Sequence, residues 1–122
     1  MSYNVDTWKT KELVNLRIPV VHLFEHPRKD WHPKLVDNND GTVTFSISDQ
    51  VLISGKMDND TLVVSEIKAS GECSGIALHW IIEPALRHST GKLVANRVWE
   101  GGDYIDKLVC VNGDVSWVPI EI

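Results

Sequence analysis

Asn112-Gly113 stands between "YIDKLVCV" and "DVSWVPIEI", two runs rich in β-branched and aromatic residues. A two-residue turn there needs positive φ at both central positions, which Asn and Gly tolerate, so the pair predicts a type I′ hairpin. The constraint spreads outward. "KLVANRVWE" lies upstream across the turn "GGD", which makes the C-terminal part of the chain a three-stranded meander. Pro119 has no amide to give to a ladder, so the last strand is expected at a sheet edge.

The same period of two governs the middle. "TVTFSIS" alternates Val43, Phe45 and Ile47 against threonines and serines; "QVLISGKM" follows, then the polar turn "DND" and "TLVVSEIKA". These predict a second set of three antiparallel strands, with Gly55 marking a bulge. "DNNDG" (37–41) is the strongest break in the chain. The 36 residues before it are too few for an independent core, so it reads as a loop within one domain covering residues 1–122.

Two segments follow a different rhythm. Leu13, Leu16, Val20, Leu23 and Phe24 recur at helical spacing, with Lys9, Lys11 and Glu12 on other faces. Asp6 or Thr7 supplies a cap, Pro19 opens a second short helix, and Pro27 ends it. "GECSGIALHWIIEPALRHSTG" (71–91) reads either as a helix kinked at Pro84 and ended by Gly91, or as a strand followed by a short helix; length and the terminal glycine favour helix. The expected class is therefore α+β: an antiparallel sheet of about six strands in two meanders, with N-terminal and central helices packed on one face.

Twelve lysines and arginines against seventeen acids give a net charge of −5. That balance disfavours general nucleic-acid binding, which needs a basic footprint. No apolar run reaches the length of a membrane span and the start lacks a secretion signal, so a cytoplasmic protein is expected. Cys73 and Cys110, far apart and without CxxC spacing, read as free thiols.

"VHLFEHPRKDWHP" (21–33) offers the first candidate chemistry. His22 and His26 at i, i+4 share a helical face, and His32 or Asp30 completes three ligands for a hydrolytic metal. The segment lacks the Glu after its first histidine that HExxH sites use, and solvent-facing or edge-packed histidines explain it as well. The second candidate is "GECSG". At a helix start Cys73 gains nucleophilic character, with His79 or His88 as base and Glu83 as orienter. No Lys-Ser or Lys-Thr follows the glycines, so it is not a phosphate-binding loop, and a core histidine with a plain chain reversal explains the same residues.

The third candidate is a surface. Asp37, Asp40, Asp58, Asp60, Glu100, Asp103 and Asp106 concentrate charge in the expected turns, where Asp also serves simply by bonding nearby amides. Trp31, in a Pro-bounded loop, and Trp99, before a Gly-Gly turn, suit an interface. No stretch matches a dinucleotide, kinase, hydrolase or nucleic-acid signature. The expectation is a protein-binding module without a cofactor. Its partner is a basic protein, as for an inhibitor or immunity-type protein, recognised through Trp31, Trp99, Glu100 and Asp103. The alternatives are a small metal- or cysteine-dependent hydrolase and a homodimeric structural protein.

Overall fold

A computed structural model describes residues 5–25, 32–48, 50–69, 77–99 and 105–120. Eight strands form one antiparallel sheet: β1 (Val5–Pro19), β2 (Lys34–Asp37), β3 (Val43–Ile47), β4 (Val51–Asp58), β5 (Thr61–Ala69), β6 (Thr90–Trp99), β7 (Ile105–Val111) and β8 (Asp114–Pro119). Their spatial order is β2-β3-β4-β5-β1-β6-β7-β8, so β1 joins the two meanders in the middle. A 3₁₀ turn (Val20–Leu23) follows β1. Between β5 and β6 lies a π-helical turn (Leu78–Ile82) that runs into one α-helical turn, α1 (Glu83–Leu86).

The expected α+β class is overturned: the described chain is mostly β, with eight strands in the sheet rather than about six, and among the described residues no N-terminal helix packs on it. Residues 5–19 are strand β1, and the reason for the misreading is physical. Against β6, its register slips three times, between Val5 and Thr7, between Thr10 and Glu12, and between Val14 and Arg17. Each slip inserts one residue, so the inward positions fall at Trp8, Thr10, Leu13, Leu16 and Ile18. Spacings of three in a repeatedly bulged strand imitate a helix. Among the described residues the central helix comprises the two turns Leu78–Leu86. Pro84 has no N–H for the Trp80 carbonyl, and the chain widens to π pitch before it, with Glu83 N–H reaching Leu78 O.

The hairpin elements agree with the sequence reading. Asn112 and Gly113 have φ of 47° and 87°, the type I′ signature, and β8 with Pro119 is an edge strand. Gly91 does not end the helix; it lies in β6 at φ 90°. A Cβ there would stand 2.2 Å from Asn15 O, so its bareness lets the β1 bulge, with Asn15 at φ 49°, pass close by.

The core lies on one face of the sheet. Leu16, Ile18, Phe45, Ile47, Ile53, Leu62, Leu93, Leu108 and Cys110 point towards Leu78, Ile81, Ile82 and Leu86 of the helical segment. Each large aliphatic or aromatic side chain so buried contributes about 1.5–3 kcal/mol. Phe24, half exposed after the 3₁₀ turn, packs edge-on against Phe45 at 5.2 Å. The two helical turns thus act as a lid on the sheet's apolar face.

Candidate functional site

The histidines are reorganised by this fold. His22 stands in the 3₁₀ turn, and its ring stacks on His88 at 3.6 Å with 11° between planes. Its Nδ1 lies 2.8 Å from Glu25 Oε1. Imidazole lone pairs lie in the ring plane and a bound zinc sits about 2.0–2.1 Å from the nitrogen. Two nearly parallel planes 3.6 Å apart therefore cannot share one ion. His32 is exposed, at φ 49°, just before β2. His26 and Asp30 lie outside the described residues. Among the described residues, no three His, Cys, Asp or Glu side chains are grouped to hold a metal.

The second candidate splits likewise. His79 and Glu83 do meet, with Nδ1 3.0 Å from Oε2 one helical turn away, and Arg87 lies 3.3 Å from the other carboxylate oxygen. Glu83 is buried and holds these two side chains on the outer face of the helical segment. The His79 contact has ion-pair distance without hydrogen-bond alignment, so Oε2 has no hydrogen-bond donor. Cys73 lies outside the described residues. Cys110 is a buried free thiol whose Sγ lies 3.7 Å from Leu86 O.

Of the surface residues expected at an interface, Trp31, Glu100 and Asp103 lie outside the described residues, and Trp99 ends β6. Three of the described turn acids, Asp37, Asp40 and Asp58, are engaged by neighbouring groups. Asp37 Oδ1 accepts from Asn39 N at 2.8 Å. Asp40 Oδ1 accepts from Thr42 Oγ1 at 2.5 Å and from Thr42 N at 3.0 Å. The Thr42 hydroxyl, followed by its amide, holds the Asp40 carboxyl below its ordinary pKa. Asp58 pairs with Arg17 at 2.9 Å. Asp106 is not a turn residue: it is buried opposite Arg97, which donates Nε to Oδ1 at 2.7 Å and a second N–H to Oδ2. The guanidinium lies 3.2 Å above the centre of the Trp117 ring.

A different feature emerges where β1 meets β5. Their ladder runs only through Arg17↔Val63, Ile18↔Leu62 and Pro19↔Thr61. Just beyond it each strand is bulged. Opposite Ser54 and Gly55, β5 carries the extra residue Ser65, whose hydroxyl donates to Ser54 O at 3.1 Å. A Cβ at Gly55 would stand 2.0 Å from Val63 O, so only glycine admits this bulge. On β1 the bulge at Asn15 leans on bare Gly91 in the same manner. Bulges raise local twist, and the two strands part.

The gap is an open cleft of about 430 Å³, lined by Trp8–Lys11 and Leu13 of β1 and Ser65–Lys68 of β5. Its walls have two chemistries. Leu13 and Ile67 pair with buried Leu93 and Ile53, so they and Trp8 belong to the core side. Lys9, Glu66 and Lys68 belong to the outer side, and bulged Lys11 joins them at the surface. Lys68 Nζ is 3.4 Å from Glu66, and Trp8 donates its indole N–H to Thr10 Oγ1 at 3.0 Å. Glu12 turns away to Lys92 on β6 at 2.9 Å. Lys9 and Lys11 make no ion pair among the described residues. The reading of residues 8–16 as a helix concealed this site; "WKTK" as a strand would have put Trp8 and Lys9 on opposite faces.

Comparison with protein-family models, with curated proteins and with solved structures finds no significant match. No described helix is long and apolar enough to cross a membrane.

Proposed function

We propose that this protein is a binding module for another protein, and that it receives its partner in the cleft between β1 and β5. The supporting observation is the parting of two neighbouring strands in the middle of one sheet, which leaves a concave, mixed apolar and basic slot. Its volume of about 430 Å³ falls in the size range of specific ligand sites. A rigid scaffold surrounds it, since β1 keeps its ladder to β6 and β5 its ladder to β4. The hydrolase alternative finds less support: His22 and His88 stack on each other and Glu83 is shared between His79 and Arg87. The partner charge proposed here also differs from the sequence-based expectation. Asp37, Asp40 and Asp58 are engaged with their own neighbours, whereas the cleft presents lysines.

An immobilised peptide array of varied sequence tests the reading. Wild-type protein is expected to select a subset of peptides, and Lys9→Glu/Lys11→Glu/Lys68→Glu is expected to lose them at unchanged melting temperature, since all three side chains are exposed. Selected peptides that bind both proteins equally, or an array with no binders, would overturn it.

A further inference from the structure

Resting on that reading, we infer that the occupant of the cleft is an extended acidic segment that enters as an additional strand between β1 and β5. Three observations carry this.

The first is backbone chemistry. Trp8–Leu13 of β1 pair with β6 on one side, and Ser65–Lys68 of β5 run alongside β4 on theirs. On the cleft side neither stretch has a strand partner among the described residues, because the β1–β5 ladder stops at Arg17↔Val63. Each stretch therefore turns amide N–H and C=O groups into the same gap. Such groups are strong, obligatory donors and acceptors, and a strand edge is a template for another strand. An outer edge of a sheet offers one such row; this cleft offers two that face each other.

The second is the two-sided lining. A strand in the gap sends alternate side chains to opposite faces. On one face they meet Trp8, Leu13 and Ile67, and on the other Lys9, Lys11 and Lys68. The complementary sequence alternates apolar and acidic residues.

The third is charge. Three lysines and one glutamate border the cleft in a chain whose net charge is −5. Glu66 is already beside Lys68, while Lys9 and Lys11 are available. Acidic side chains there gain attraction and a faster encounter, an effect that salt screens.

The test uses the full chain, labelled with ¹⁵N, and a synthetic peptide of about eight residues alternating glutamate and valine, a typical strand length. Three further probes accompany it. They are the same peptide N-methylated at alternate residues, its lysine-valine counterpart, and a short single-stranded DNA. Expected are amide shift changes concentrated at 8–13 and 65–68, and affinity about tenfold or more weaker for the N-methylated peptide. Lys9→Glu/Lys11→Glu should lower affinity similarly and flatten its salt dependence, while lysine-valine peptide and DNA should not compete. Equal binding of the N-methylated peptide would overturn strand insertion and leave the binding-module reading intact. Equal competition by DNA would show a cleft that reads anions alone and would also overturn the inference. If the glutamate-valine peptide leaves 8–13 and 65–68 unmoved, the inference fails. The array result with the triple lysine variant then decides whether the broader reading falls with it.

Discussion

Asp106→Asn removes one charge from a pair that has almost no access to water. Arg97 and Asp106 sit directly opposite each other on β6 and β7, their side chains 3% and 2% exposed, joined by two hydrogen bonds and roofed by Trp117. Leaving a guanidinium buried without its counter-charge costs about 3–5 kcal/mol. A chain of 122 residues has a total stability of about 6–18 kcal/mol, so one substitution removes a large share. With a urea slope of about 2 kcal/mol/M, the unfolding midpoint falls by about 1.5–2.5 M at unchanged slope. Replacing both partners separates the cost of an orphaned charge from the worth of the pair. Arg97→Met with Asp106→Leu should recover most of the loss, since a well-packed apolar pair replaces a buried ion pair with little penalty. Trp117→Leu should cost up to about 2 kcal/mol through the lost face-on cation contact, besides its packing. Urea curves of the wild type and these three variants, followed by intrinsic fluorescence and by far-ultraviolet dichroism, give all three costs. An Asp106→Asn cost under about 1 kcal/mol, or a double variant less stable than Asp106→Asn, would refute the reasoning that burial makes this pair interdependent.

Gly55→Ala should destabilise by about 2–3 kcal/mol, because its methyl has no room against Val63 O; amide shifts at Ser65–Lys68 should move with it, and small changes confined to residue 55 would contradict its role in forming the cleft. Asp40 should titrate below the usual aspartate range by carboxyl carbon NMR, and Thr42→Val should raise it. Because this pKa is lowered in the folded state, its contribution is present above the unfolded-state value and disappears as pH falls through the folded one. Cys110, fully buried, should react with a thiol reagent only at the rate of unfolding, so rapid labelling of Cys110 in native protein would contradict its placement.

The sequence carried the sheet's outer parts legibly, for local reasons. Val43, Phe45 and Ile47 alternate cleanly, and Asn112-Gly113 dictates its turn whatever surrounds it. Gly55 inside a β-rich run signalled a bulge, and the register puts the extra residue on the facing strand, at Ser65 of β5. Strand β1 was illegible because its bulges appear only in its pairing with β6 far along the chain, the one at Asn15 lying against Gly91. The pairing of His22 with His88, and of Lys9 with Lys68 across one cleft, depends on that same long-range register and has no signature in either segment alone. Glu83 with His79 and Arg87 was partly legible, since i, i+4 spacing on a helix survives a change in helix length.

The central position of β1 has a consequence for how the chain reaches its native state. Thr10 must find Ala95, 85 residues further on, before the halves of the sheet can join. During synthesis β3, β4 and β5 can assemble as a local meander while β1, already extruded, waits for β6 to leave the ribosome. Until then its apolar positions are open to chaperones and to wrong pairings. Slow, β6-dependent acquisition of structure in residues 5–14 is thus built into the strand order itself.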